Sequence, residues 1–399
     1  MPETNAVIPL HQSTETQFEE PRRFKVFTAR QLDKIEPLKR LDDETRFAME
    51  VVANVLPFRV NEYVIDELID WDKVPNDPIY QLTFPQKGML APEHFDKVAE
   101  AMRGGDKAEI KAAIAEVRDA LNPHPAGQME HNMPEVDGEK IDGVQHKYNE
   151  TVLFFPSQGQ VCHSYCTFCF RWAQFIGDND LKIATKEAGQ LKKYIQAHPE
   201  ITDVLITGGD PLVMKTKNLR AHIEPLLELE QIRTIRIGSK ALTFWPQRVV
   251  SDDDAQDLLD LFREVQASGK HLALMAHYNH WQEITTDIAE EAIRRLRATG
   301  AEIRAQGPLI KHVNDNADDW AKLWDKEVQL GIIPYYMFVE RDTGAKNYFE
   351  VPLVEAFNIY REAMKQVSGL ARTARGPSMS AGPGKVEVQG ITEINGEKV

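Results

Sequence analysis

Cysteine is the rarest residue of this sequence. Only three occur in 399 residues, Cys162, Cys166 and Cys169, all inside the stretch CHSYCTFC. An odd number in so short a span excludes a framework of structural disulfides. It fits a reducing compartment, so a cytoplasmic location is expected. Long apolar runs are missing too. No stretch of about 18 apolar residues occurs, so no membrane-spanning helix is expected. The opening MPETNAVIPLHQSTETQ has neither the basic nor the apolar region of a signal peptide. Positive charge is also short: the formal net charge is −15, and no basic patch or stripe interrupts it. A nucleic-acid partner is therefore not expected. A small-molecule site or protein contacts match this composition better.

What is present suits a globular chain. Hydrophobic residues make up 42% and charged residues 27%, enough length and apolar content for one large domain or two modest ones. Residues 1–20 are polar and expected to fray. Residues 29–55 and 92–121 have helical spacing, the second ending at Pro123. Residues 122–145, rich in Pro, Gly, Asp and Asn, read as a linker.

The pattern then changes. Short β-rich runs at 151–155, 203–207, 234–238, 272–276, 302–306 and 333–339 alternate with amphipathic segments near 184–197, 217–229, 252–268, 286–298, 317–329 and 351–367. Six β-then-α units imply parallel strands with right-handed crossovers. The expected fold is α/β, a partial (β/α)6 barrel with an N-terminal helical region and a C-terminal extension. The expected division is 1–145, 146–350 and 351–399. Polar residues follow each strand: the cysteine loop, TGGDP, GSK, HYNH, QGP and ERD. In β/α barrels that end of the strands builds the active site.

The cysteine spacing, C-x3-C-x2-C, reads as a metal or redox site. Zinc and iron–sulfur sites with four protein ligands need a fourth residue. Three thiolates on a [4Fe–4S] cluster would leave one iron open for a small molecule. Zinc with His163 as fourth ligand, or three buried apolar cysteines, stay open as alternatives.

In this setting the motif resembles the radical S-adenosylmethionine (SAM) enzymes. The segments LPFRVNEYVIDELIDW, HKYNETVLFF, CFRW, TGGDPLVM, IRIGSKALTFWPQRV, HYNHWQEIT, GPLIKHVND and IPYYMFVERD run in the same order as in lysine 2,3-aminomutase-like proteins, over roughly residues 55–390. The resemblance implies a [4Fe–4S] cluster on Cys162, Cys166 and Cys169, bound SAM, and pyridoxal 5′-phosphate (PLP). It implies an isomerase of the 2,3-aminomutase type, moving an α-amino group to the β-carbon through a PLP aldimine radical. Gly208, Gly209 and Asp210 fall at its SAM-binding stretch, with Asp210 toward the SAM amino group. Ser239, His277 and Gln306 fall in loops facing SAM or PLP, and Lys147 and Tyr148 at phosphate-binding positions. Lys385, ending SAGPGK, matches the PLP lysine and is the catalytic candidate. Arg171 matches the residue on the substrate α-carboxylate. A cellular reductant such as flavodoxin or ferredoxin and a homo-oligomer are the expected partners, beside a small amino-acid substrate.

Three departures bear on that reading. Thr151 stands where the family commonly has a second phosphate-facing arginine, which weakens the case for PLP. Ser378 and Arg341 stand where lysine-specific members carry aspartates, with Asp342 beside Arg341. An acidic or polar substrate such as glutamate is therefore expected over lysine. The loop PSQGQVC is about two residues longer than usual. The competing readings are a PLP-independent radical SAM enzyme doing another isomerisation, elimination or oxidation, and a non-enzymatic iron–sulfur or zinc protein.

Overall fold

The computed structural model describes residues 21–123, 132–136, 138–177, 184–185, 188–381 and 384–398. The expectations for residues 1–20, for 124–131 and 137 of the linker and for 186–187 lie outside them.

Nine strands form one sheet. In chain order they are β1 (Val144–Tyr148), β2 (Thr151–Phe154), β3 (Asp203–Ile206), β4 (Thr234–Ser239), β5 (His271–His277), β6 (Glu302–Leu309), β7 (Ile333–Val339), β8 (Arg375–Ala381) and β9 (Gly384–Glu387). Spatial order equals chain order. Strands β2 to β8 run parallel, while β1 and β9 pair antiparallel at the two edges. The partial barrel expected from six β/α units is present. The C-terminal extension adds to it a seventh parallel strand and a hairpin. Strand β1 was not foreseen, and it begins two residues before the expected boundary at 146.

Alternation along the strands separates two faces. Val152, Phe154, Val204, Ile206, Ile235, Ile237, Leu272, Leu274 and Ile303 are fully covered and join the surrounding helices in one core. Their neighbours Thr151, Asp203, Arg236, Arg304 and Gln306 are partly exposed and face inward. The helices behind the strands cover the expected segments. Asp287–Arg297 shows why they stop and start: the Thr286 hydroxyl accepts from Ala289 N, and Arg294, Arg295 and Arg297 sit in the last turn.

The N-terminal region forms a second layer with its own core. The expected helix at 92–121 is two helices, Pro92–Gly104 and Lys107–Leu121. Gly105 takes a left-handed φ of 78° and Asp106 caps the next helix, accepting from Ala108 N and Glu109 N. This core also takes in Phe168, between the second and third cysteines, and Trp172 and Ala173 beyond them. No described helix is long and apolar enough to cross a membrane.

Candidate active site at the mouth of the barrel

The cysteine loop leaves the C-terminal end of β2 and is held from two sides. The N-terminal layer grips it by backbone. Tyr165 N donates to Arg59 O (2.8 Å), Thr167 N to Leu82 O (2.9 Å) and Asn61 N to Ser164 Oγ (3.0 Å). Asn61, fully buried, also donates from Nδ2 to Phe244 O (2.7 Å) and accepts from Val64 N (3.0 Å). From the barrel side, Asp210 N donates to Gly159 O (3.0 Å) and Val161 O (2.9 Å). A methyl group on Gly209 would meet Val161 N at 2.5 Å, and one on Gly208 would overlap the Gln160 side chain. The close approach these two glycines allow is of one loop to another. The longer PSQGQVC loop supplies the surface they pack on.

All three cysteines are free and partly exposed. Burial pushes the Cys166 thiol up to about 12 and the Cys169 thiol to about 11, and Cys162 moves the same way. Thiolates here need a positive centre beside them, which iron provides. Among the described residues, no three His, Cys, Asp or Glu side chains converge to hold a single ion. His163 turns its buried ring to the edge of Phe24 (5.7 Å), so the zinc alternative lacks its ligand set.

Asp210 ties two strand ends together. It accepts from Leu212 N (2.9 Å), Ser239 Oγ (2.7 Å) and Lys240 N (2.8 Å). These use three of about four acceptor positions of a carboxylate. Burial raises its carboxyl to about 6 against those hydrogen bonds. Lys240 is itself buried, with Nζ on Glu283 Oε1 (2.5 Å), Asn279 Oδ1 (3.0 Å) and His277 O (3.1 Å). His277 pairs in register with Gln306 across β5 and β6. Burial, then Lys240, lowers its imidazole to about 3, so the ring is neutral. It stacks on Phe168 (5.9 Å), and its Nδ1 is buried without a protein partner.

Beyond Cys169 the chain places two guanidiniums around one ring. Phe170 has Arg171 Cζ 5.3 Å and Arg341 Cζ 4.8 Å from its centre, and Arg171 also lies 4.5 Å from Phe155. Neither has a carboxylate or hydrogen-bonding partner for its side chain among the described residues. Burial lowers Arg171 to about 10, with nearby Arg341 adding to the fall. Glu340 lies within charge range of Arg341; burial raises its carboxyl to about 8, and Arg341 opposes that rise. Asp342 is exposed and paired with Lys346 (2.8 Å). Lys385 sits on β9, where a glycine-rich loop was expected. Its Nζ is 3.7 Å from the centre of Tyr336 and 4.5 Å from that of Phe338. Burial, then Arg236 and Arg375, lowers its ammonium to about 8. Lys147 reaches from β1 to Ser380 Oγ (3.3 Å) and Ala381 O, while Tyr148 lies beside Gly384.

No family model matches the chain. Its sequence is 33% identical over 356 residues to a protein of Aquifex aeolicus (strain VF5) provisionally named L-lysine 2,3-aminomutase, covering 89% of this chain and 83% of that one. The L-lysine 2,3-aminomutase of Haemophilus influenzae is 30% identical over 238 residues, covering 59% and 66%. That of Clostridium subterminale is 24% identical over 347 residues, covering 87% and 71%. The chain belongs to the lysine 2,3-aminomutase-like family of radical SAM enzymes. Among solved structures, Streptococcus suis SuiB bound to its precursor peptide SuiA gives a TM-score of 0.40 at 14% identity, over 65% of this chain and 51% of that one.

For a radical SAM chain the residues fit a cluster with its SAM. Three free thiols sit on a doubly held loop, and the orphaned His277 Nδ1 lies beside it. They fit the aldehyde of PLP through Lys385. The family's phosphate positions fit less well, because Lys147 is committed to the β8–β9 turn and Thr151 Oγ1 donates to Asp203 (2.8 Å). Sequence reasoning missed Asn61, Asp203, Arg236, Lys240 and Glu283. A charged residue inside a β-run, at 203 and 236, was the one available signal.

Proposed function

We propose that this chain is a radical SAM 2,3-aminomutase acting on an acidic amino acid, with PLP at Lys385. The observation that carries the substrate class is the Arg171–Phe170–Arg341 arrangement. The two guanidiniums, Arg171 partly exposed and Arg341 exposed, form no ion pair among the described residues, and Arg341 lowers the proton affinity of Arg171. A dicarboxylate would supply the missing counter-charge at both ends, and an arginine fork suits each carboxylate. Arg171 would hold the α-carboxylate beside the cysteine loop, and Arg341 the side-chain carboxylate. A cationic side chain would be repelled by Arg341.

The chain's own residues prepare the rest. Lys385 rests its Nζ on the rings of Tyr336 and Phe338, and its ammonium is lowered to about 8, which favours the neutral, nucleophilic amine. Neutral His277 stacks on Phe168 of the cysteine loop. Gly208 and Gly209 fix the loop that carries the thiols. Bound there, the cluster with SAM supplies a hydrogen-abstracting radical and PLP supplies a carbonyl for the substrate amine. Electrons would come from a carrier such as flavodoxin or ferredoxin.

The test is anaerobic reconstitution with iron, sulfide, SAM, PLP and dithionite, followed by chromatography of β-amino products from glutamate, aspartate and lysine. Glutamate or aspartate turnover above lysine is expected. Arg341→Asp should lower acidic-substrate turnover by about tenfold or more, the scale of one charged hydrogen bond. Faster lysine turnover by the unaltered enzyme would overturn the substrate class. The engagement of Lys147 and Thr151 by protein groups favours a second reading, the same radical chemistry without PLP. An absorbance band near about 420 nm that borohydride removes distinguishes the two.

A further inference from the structure

Thr151 is not isolated inside the barrel. Its hydroxyl and Arg236 share one carboxylate. Arg236 Nε donates to Asp203 Oδ1 (2.9 Å), Nη2 donates to Asp203 Oδ2, and Nη2 also lies 3.5 Å from Thr151 Oγ1. Asp203 thus fixes two of the three guanidinium nitrogens. Nη1 has no protein partner among the described residues, and the side chain is 21% exposed although it projects from a central strand. A guanidinium locked along one edge and open at the other is oriented before any ligand arrives.

This open edge is connected to Lys385 through the edge strands β1 and β9. Thr151 pairs in register with Tyr148, whose ring lies 4.0 Å from where a Gly384 Cβ would stand. Lys147, next to Tyr148, binds the Ser380–Ala381 turn, and Ser380 pairs with Lys385. The first-ranking charge acting on the Lys385 ammonium is that of Arg236. Arg375 also acts on it but is paired with Glu387 (2.7 Å). An amine able to condense with an aldehyde and a pre-aimed cation able to take an anion therefore lie within charge range of each other.

We propose that Arg236, positioned by Asp203, binds the phosphate of PLP and replaces the charge that position 151 lacks. This rests on the reading that PLP binds at Lys385. The amine loses its proton, adds to the aldehyde carbon and expels the carbonyl oxygen as water. The phosphate reacts with nothing and only anchors.

The experiment compares PLP with pyridoxal, which has the aldehyde but no phosphate, by equilibrium titration of the purified protein. The adduct is read by absorbance and confirmed by borohydride trapping and peptide mass at Lys385. The unaltered protein should bind PLP tighter than pyridoxal. Arg236→Gln should cut the PLP-to-pyridoxal affinity ratio by about tenfold or more, as expected for one charged hydrogen bond, because any change in the Lys385 ammonium acts on both aldehydes alike at one pH. Because Arg236→Gln strands a partly buried carboxylate, the double variant Arg236→Gln with Asp203→Asn removes the pair together. It should give the same loss. An undiminished preference in either folded variant overturns the Arg236 assignment while PLP binding stands. Absence of a Lys385 adduct with both aldehydes in the unaltered protein overturns the underlying PLP reading and this assignment with it.

Discussion

Lys385 shows how a single side chain is tuned by surroundings that the sequence does not display. Its neighbours GPGK suggest an ordinary surface turn. The fold puts its ammonium against Tyr336 and Phe338 and near Arg236, Arg375 and Glu387. Burial, then Arg236 and Arg375, favour loss of the proton against Glu387 and the ring faces, so the folded value falls to about 8 from the usual lysine value of about 10.4. The reactive form is the neutral amine. Adduct formation with PLP should therefore rise with pH through a midpoint near 8 and level off above it. Stopped-flow absorbance across pH 6 to 11 measures this, and a midpoint near about 10 would mean that the surroundings have no such effect. The cysteines were legible because they are rare and closely spaced, whereas Arg171 and Lys385 stood out only through the family resemblance. Arg236 and Asp203 were not legible. A charged residue at an alternate position of a strand looks like a solvent-facing one, and only the curvature of the sheet turns that face inward.

At the scale of elements, the strand Arg59–Asn61 and the turn of helix after it do more than cap the barrel. Asn61 links that strand to Ser164 of the cysteine loop and to Phe244 beyond β4. Removing its side chain leaves Phe244 O and Val64 N unsatisfied in a fully buried place, at a cost of about 1–3 kcal/mol for each group. Asn61→Ala should lower the melting temperature by several degrees. It should also reduce the iron retained per chain after reconstitution, measured by colorimetric assay on gel-filtered protein. Retention of full iron with a lowered melting point would separate the loop from the clamp. The sequence announced helices in this region, and most exist. Their purpose was hidden because contacts over a hundred residues of separation leave no local pattern.

Across the whole molecule, the six β/α units could be read from alternation alone, since β-rich and helical periods differ. The seventh parallel strand could not. Arg375–Ala381 contains Gly, Pro and two Ser, a composition poor in strand formers, and gains its place from pairing with β7. It brings β9 to the far edge of the sheet, and Lys147 crosses from β1 at the other edge to meet it. Lys147→Ala should loosen that seam in the ligand-free protein. Hydrogen exchange followed by mass spectrometry should then speed up in residues 144–148 and 384–387 while β4 and β5 stay protected. Unchanged exchange at both edges would show that the seam does not depend on this lysine.

The bonds of Asn61 also fix an order of events. They join residue 61 to positions 103 and 183 residues further along the chain. Contacts of such separation form late, after the entropy of a long loop has been lost. During synthesis from the N-terminus, the cysteines emerge well before Phe244, so the seat for the metal is unfinished while the thiols are already in solution. A chain stalled before the fourth strand would carry the three cysteines without the contacts that hold their loop.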